Sequence, residues 1–140
     1  MLHVRVIGEL ELQLEGVPVE PPASRRARSL LALLALEHRP HARSQLAARF
    51  WPDVLDESAR TSLRSALAAV RRALGPDADR YLVATRERAG LSDDVTTDAA
   101  EFERLLAADR LDDAIALWRG DLLSGLDDDW VLVARDEWRD

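Results

Sequence analysis

The segment 42–75 constrains the fold of this chain most, because it holds two helical patterns joined by a Trp-Pro loop. The second pattern predicts a helix from about Glu57 to Leu74 with an apolar stripe on one side and basic residues on the other. The stripe spans about 60° of a helix that turns about 100° per residue, and it consists of Leu63, Leu67, Val70 and Leu74. Such a helix packs one side on a small core and offers the other side to an anionic partner.

The basic side of this helix supplies the first candidate binding residues. About 18 residues give a helix of roughly 27 Å, long enough to cross a DNA major groove about 12 Å wide. Arginine suits this role because its planar guanidinium matches phosphate and guanine edges. The alternative is a solvated helix face that Asp56 and Glu57 partly neutralise. The candidate DNA contacts on this helix are Arg60, Thr61, Arg64, Ser65, Arg71 and Arg72.

The segments before this helix predict strands followed by two further helices. Residues 2–14 alternate between apolar and polar side chains, which predicts one strand or two strands broken near a glycine, and residues 17–20 fit a returning hairpin strand. Ser24 can cap a helix from about Arg25 to Glu37, and its nearly all-round apolar character places it centrally. A second helix is expected from about Arg43 to Phe50. Three arginines open the first of these helices, where cations oppose the helix dipole, and this favours a phosphate-binding role for Arg25, Arg26 and Arg28.

The segment after the basic helix predicts a β-hairpin. Residues 81–85 are rich in β-formers, residues 86–88 form a charged tip, and residues 89–92 can return as a second strand. Arg86 and Arg88 at the tip are further candidate DNA contacts, with a turn kept soluble by its charges as the alternative. Strands, three helices and a terminal hairpin together predict an α+β winged helix, which is a variant of the helix-turn-helix.

Charge is distributed unevenly along the chain. Residues 1–90 carry a net charge of +3 and residues 91–140 a net charge of −10, giving −7 overall. Such an asymmetry points to a nucleic-acid face beside an acidic part. All 19 basic residues are arginine, which a GC-rich genome also explains, so the absence of lysine by itself argues for nothing.

Several function classes find no support in the sequence. There is no apolar run long enough for a membrane span, no signal peptide pattern and no cysteine, which fits a cytoplasmic protein. We find no glycine-rich phosphate loop and no nucleophile motif, and therefore predict neither an enzyme nor a cofactor. His38 and His41 lack further metal ligands nearby, and the acid run Asp127–Asp129 is expected to cap a helix or to contact protein. Trp118, Trp130 and Trp138 are expected in the core of the C-terminal part.

The ordered pieces of the chain resemble the SARP family of antibiotic regulatory activators. The pieces that carry the resemblance are SRRARSLLALLAL, LAARFWPD and ARTSLRSALAAVRRALG followed by a hairpin, and then AAEFERLL and ALWRGDLL. The resemblance implies an OmpR-like winged helix over residues 1–92. It also implies that residues 93–140 are the beginning, truncated relative to the family, of an all-α, tetratricopeptide-like bacterial transcriptional activator domain.

The resemblance also implies a mode of action, and this chain departs from the family pattern at two local positions. We expect direct-repeat DNA targets near promoters, contact with RNA polymerase, and self-association on tandem repeats. Ala42 stands where the family usually has a serine cap, which weakens the helix start by about 1 kcal/mol. The return strand of the hairpin keeps only Gly90 of the family's usual ending, so a weaker wing is expected.

These observations predict a sequence-specific DNA-binding transcriptional regulator, an activator, that acts on double-stranded DNA without a metal or a membrane. The alternative is a protein-interaction module whose winged helix no longer binds DNA. The overall net charge of −7 and the reduced wing favour that alternative.

Overall fold

The structure is a computed structural model that describes residues 1–139, with only the backbone of Arg139. Its strands are β1 (Leu2–Arg5), β2 (Glu11–Leu14), β3 (Val17–Val19), β4 (His41–Ala42), β5 (Leu82–Ala84), β6 (Arg88–Leu91) and β7 (Val95–Thr97). Its helices are α1 (Arg25–Leu36), α2 (Arg43–Phe50), α3 (Asp56–Leu74), α4 (Ala78–Tyr81), α5 (Asp98–Ala107), α6 (Leu111–Ala116) and α7 (Asp129–Arg139). A 3₁₀ turn over Gly75–Asp77 joins α3 to α4.

The alternating N-terminal segment folds into two strands of a four-stranded sheet with the order β3-β2-β1-β7. β1 and β2 are antiparallel, with Val4 opposite Leu12, and β3 returns on β2 as the predicted hairpin. A further strand that was not predicted, β7, pairs in parallel with β1 and places Val95 opposite Leu2. β7 has only three residues, too few for an alternation that sequence patterning can detect.

The three predicted central helices are present with nearly the predicted bounds. α1 begins after Ser24, whose hydroxyl accepts a hydrogen bond of 3.3 Å from the backbone N–H of Ala27. The leucines of α1 that face its neighbours are fully buried, as its all-round apolar pattern predicted. α2 begins after Ala42 without a side-chain cap, so the expected lack of a serine cap is confirmed.

Helix α3 packs against α1 and α2 through its apolar stripe. Leu63, Leu67, Val70 and Leu74 are each at most 5% exposed. The helix is 19 residues long, starting one residue before the predicted position. It ends at Gly75, where a φ of +80° suits glycine because L side chains rarely adopt it.

A second sheet of three antiparallel strands, in the order β4-β6-β5, closes the N-terminal part. The predicted hairpin is β5–β6, with Val83 opposite Gly90, while β4 was not predicted because it has only two residues. Two details of the predicted hairpin are wrong: Tyr81 ends α4 instead of starting the strand, and Arg88 lies in β6 and not in the turn. A Cβ at Gly90 would come within 2.8 Å of the carbonyl oxygen of Arg39, so this position requires glycine.

The C-terminal segment is helical, and a buried carboxylate binds it to the residues that follow β1. Thr97 caps α5 by accepting a hydrogen bond from the N–H of Ala100. Asp98, which is 2% exposed, accepts hydrogen bonds from the backbone N–H groups of Val6 (2.8 Å) and Ile7 (3.0 Å). These bonds satisfy a charge that would otherwise be costly to bury.

The tryptophans of the C-terminal segment occupy two different environments. Trp130 is 8% exposed, and its ring meets Phe50 of α2 edge-on at 6.3 Å between centroids. It is buried as predicted, but against α2 and not within the C-terminal part. Trp118 and Trp138 instead cluster with Phe102 at centroid distances of 5.5–6.5 Å. Trp118 is 37% exposed, so the prediction that it lies in the core is wrong.

Candidate nucleic-acid interface

The surface of α3 that faces away from the core carries the side chains predicted to contact DNA. Because α3 buries one stripe, the helical period turns the opposite side outward. The residues on this side that are exposed are Arg60, Thr61, Arg64, Ser65 and Arg72, and Arg71 is partly exposed. The Thr61 hydroxyl donates to the backbone carbonyl of Glu57 in its own helix at 3.1 Å.

The β5–β6 hairpin brings two of the other predicted arginines to α3. A cleft of about 600 Å³ separates α3 from the hairpin, and it is lined by Ala42, Arg43, Ser44, Arg60, Leu63, Arg64, Arg86, Glu87 and Arg88. We call this the basic cleft. Five of its nine lining residues are arginine against one glutamate, so the space has a strongly positive rim.

Arg43, one of the five arginines, was not among the residues predicted from the sequence. It is the first residue of α2, and its backbone N–H donates to the carbonyl of Glu87 in the hairpin turn at 2.8 Å. Arg43 also lines a second, adjacent hollow of about 370 Å³ with Arg64, Arg71 and Arg72. No local sequence pattern signals this position, because the contact joins residues 44 positions apart.

The arginine side chains around these hollows are mostly unpaired. Among the side chains that the structure describes, no carboxylate lies within ion-pair distance of Arg60, Arg64, Arg72, Arg86 or Arg88. Arg71 differs, since it pairs with the exposed carboxylate of Asp79. Unpaired guanidinium groups keep their donors available for an anionic ligand, and arginine holds phosphate through two parallel hydrogen bonds.

The arginines at the start of α1 lie in a different environment. Arg25 pairs with Asp127 at 2.6 Å and Arg26 with Asp128 at 3.4 Å, while Arg28 is partly buried and makes no ion pair within the described residues. The structure does not bring these three side chains to the basic cleft. Helix α2 runs between the two regions, since its last residue lies beside Arg25 and its first residue lines the cleft.

The acidic partners of α1 belong to a connected network. The Ser29 hydroxyl donates to Asp128 at 2.8 Å and accepts from the indole N–H of Trp130 at 2.9 Å. Arg135 donates to the carbonyl groups of three preceding residues at 2.9–3.0 Å and so fixes the loop before α7. Asp127 and Asp128 of the acid run therefore bind side chains of α1 within the same chain.

The two histidines considered as metal ligands serve the backbone instead. His38 Nε2 lies 2.8 Å from the carbonyl oxygen of Ser92, and His41 Nε2 lies 2.8 Å from that of Glu37. Within residues 1–139, no group of three or more histidine or carboxylate side chains is arranged to hold a metal ion. No helix in this range combines the length and the apolar character that crossing a membrane requires.

Comparison with solved structures finds a protein of similar fold. The chain matches no model of a protein family and no curated protein sequence. The solved structure of EmbR from Mycobacterium tuberculosis, in complex with a low-affinity phosphopeptide, superposes on 99% of this chain with a TM-score of 0.76 and 26% sequence identity. The chain shares the fold of EmbR.

EmbR is a SARP-family regulator, so the match supports a SARP-like fold. This chain spans 41% of the EmbR chain, so the likeness concerns less than half of that protein.

Proposed function

We propose that this chain is a sequence-specific DNA-binding transcriptional regulator with a winged-helix domain over residues 1–92. The observation that carries the proposal is the convergence of unpaired arginines from α3 and from the β5–β6 hairpin on one basic cleft. Unpaired cations gathered on one surface favour the binding of a polyanion. When they bind nucleic acid, the counterions of the phosphate backbone are released. The fold shared with EmbR agrees with a regulatory role.

In the proposed complex, α3 is the recognition helix. Its 19 residues extend for about 28 Å, and the side opposite its buried stripe enters the major groove. Arg60, Arg64 and Arg72 contact phosphates and guanine edges, while Thr61 and Ser65 donate hydrogen bonds. Arg71 contributes less, because its charge is shared with Asp79.

The β5–β6 hairpin serves as the wing in this proposal. Arg86 and Arg88 lie across the basic cleft from α3, where they reach the backbone that borders the groove. Arg25, Arg26 and Arg28 add a weaker backbone clamp, since Arg25 and Arg26 must first give up their carboxylate partners.

The resemblance to the SARP family extends the proposal beyond DNA contact. We propose activation from direct repeats near promoters in the bacterial cytoplasm, with self-association on the repeats and contact with RNA polymerase. Residues 93–140 are then the beginning of a tetratricopeptide-like activator domain. The phosphopeptide in the EmbR structure belongs to that protein, and this proposal carries no phosphopeptide site to the present chain.

One observation favours a second candidate, a protein-interaction module. The C-terminal helices expose Leu111, Ile115, Leu132 and Val133, each between 46% and 65% accessible. Apolar side chains exposed in this way mark protein contacts when they are contiguous. In this candidate the basic cleft has lost DNA binding and the helical segment carries the function.

A gel-shift selection against a random pool of duplex oligonucleotides, at about 50 mM and about 200 mM salt, separates the two candidates. The DNA-binding proposal predicts retention at the lower salt, weaker retention at the higher salt and enrichment of a repeated motif. Arg60→Ala with Arg64→Ala should abolish the enrichment. The matched control is Arg104→Ala with Arg110→Ala, which removes the same charge from exposed positions in the C-terminal segment. No retention at low salt supports the interaction module.

A further inference from the structure

We propose that Arg43 is a phosphate-contact residue of the basic cleft and fixes the position of the DNA backbone between α3 and the hairpin. This inference rests on the proposed DNA-binding function, and it adds a residue that sequence patterning did not single out. It concerns the register of the protein on DNA and not the reading of bases.

Arg43 lies where three elements of the fold meet. It begins α2, its N–H is bound to the hairpin through the carbonyl of Glu87, and its side chain lines both the basic cleft and the adjacent hollow beside α3. If α3 lies in a major groove, the strand that borders the groove passes between α3 and the hairpin. Arg43 lies at the base of that passage.

The side chain of Arg43 carries an unsatisfied hydrogen-bond donor in the free protein. The Nε atom of Arg43 is buried and has no hydrogen-bond partner, and it is the one such side-chain nitrogen or oxygen among the side chains that the structure describes. Native proteins leave few buried donors unpaired, because each loses its hydration without replacement. A guanidinium that moves outward to a phosphate gains the acceptor that the free protein does not supply.

The charges around Arg43 also favour the binding of an anion. The side chains of Arg60, Arg64 and Arg88 line the same cleft without ion-pair partners, so the cations repel one another in the free protein. Arg43 also stands in the first turn of α2, where a cation opposes the helix dipole and no side chain caps the helix. An anion bound among these groups relieves both unfavourable terms.

The recessed position of Arg43 favours a phosphate over a base edge. Arg43 is partly buried, whereas Arg60 and Arg64 are exposed and project from α3. A side chain at the bottom of a cleft meets the part of the duplex that enters the cleft, which is the sugar-phosphate backbone. Phosphate contacts set the register of the protein without reading sequence.

The test measures binding of Arg43→Ala to a mixed-sequence 30-base-pair duplex by fluorescence anisotropy over a salt series. We expect binding about tenfold weaker than wild type and a slope of log K against log salt that is smaller in magnitude by about 0.9. The motif selected from a random pool should stay unchanged, because a phosphate contact weakens all sequences alike. The matched control is Arg49→Ala, at the other end of α2, where the arginine already pairs with Glu37 at 3.3 Å and the slope should stay at the wild-type value.

A second variant separates a binding role from a folding role. Arg43→Lys keeps the charge but removes the planar guanidinium. We expect it to have the melting temperature and the salt slope of the wild type. Its affinity for DNA should lie between those of the wild type and Arg43→Ala. If Arg43→Ala does not fold, Arg43→Lys alone decides, and wild-type affinity in Arg43→Lys overturns the inference.

The outcomes distinguish this inference from the function on which it rests. If the wild type does not bind DNA at low salt, the proposed function fails. If the wild type binds, Arg64→Ala weakens it and Arg43→Ala does not, only the present inference fails. A changed selected motif in Arg43→Ala also overturns it, since that result makes Arg43 a base-reading residue.

Discussion

Two arginine-bearing regions of this molecule use the same side chain in opposite ways. Around the basic cleft, arginines from α3 and the hairpin stand without carboxylate partners. At the start of α1, Arg25 and Arg26 are paired with the acid run of the C-terminal segment. The number of arginines therefore does not distinguish the two regions, whereas the presence or absence of internal acidic partners does.

The α1 region has a structural role that the cleft lacks. Trp130, Asp128 and Ser29 form one hydrogen-bonded network between the C-terminal segment and α1, and Phe50 packs on the same indole. Arginines in this region therefore lie beside a buried contact that stabilises the fold. Arg60 and Arg64 of the cleft project from α3, whose other side is already buried in the core.

The largest expected effect follows from breaking the α1 contact. Trp130→Ala removes a buried ring and the hydrogen bond to Ser29, and we expect it to lower the free energy of unfolding by about 3–5 kcal/mol. Urea unfolding measures this change. The matched control is Trp118→Ala, which removes a ring that is 37% exposed and should cost clearly less. Equal losses in the two variants would mean that the Trp130 contact is not a main support of the fold.

The next effect compares one arginine from each region in DNA binding. Arg64→Ala should weaken specific binding by about 1–3 kcal/mol if Arg64 reads a base, and should change the free energy of unfolding by less than about 0.5 kcal/mol. Arg26→Ala removes the same charge from α1 and should weaken binding less, because its guanidinium is engaged with Asp128. Anisotropy titrations with a selected duplex measure both. A larger loss for Arg26→Ala would reverse the assignment of the two regions.

The smallest effect concerns the ion pair between Arg25 and Asp127. The two side chains are 57% and 76% exposed, so solvent screens their attraction, and Arg25→Ala should cost less than about 1 kcal/mol of unfolding free energy. The loss should shrink further at about 1 M salt, where the Debye length is about 3 Å. A thermal unfolding series at low and high salt checks this. A large cost that persists in high salt would show that Arg25 supports the fold through packing.

Elements that depend on local pattern could be predicted from the sequence. The bounds of α1, α2 and α3 followed from the spacing of apolar residues, from Ser24 as a cap and from Gly75 as a stop, all of which act within a few residues. The arginines on the outer side of α3 followed from the same period. The β5–β6 hairpin was predicted with an error of one residue at each edge.

Features that join distant parts of the chain could not be predicted in this way. β7 pairs with β1 across more than 90 residues, and the ion pairs of α1 reach 102 residues along the chain. The burial of the Arg43 Nε atom depends on how α2, α3 and the hairpin meet. No local pattern reports such contacts, because tertiary packing decides them.

The salt dependence of DNA binding by the wild-type protein tests whether the unpaired arginines of the basic cleft bind the phosphate backbone. If the unpaired arginines neutralise about five phosphates, log K should fall with log salt at a slope near −4.5, or about 500-fold between about 50 mM and about 200 mM salt. Anisotropy titrations on one duplex over that range give the slope. An affinity that does not change with salt, or no binding at the lowest salt, would contradict DNA binding by these arginines.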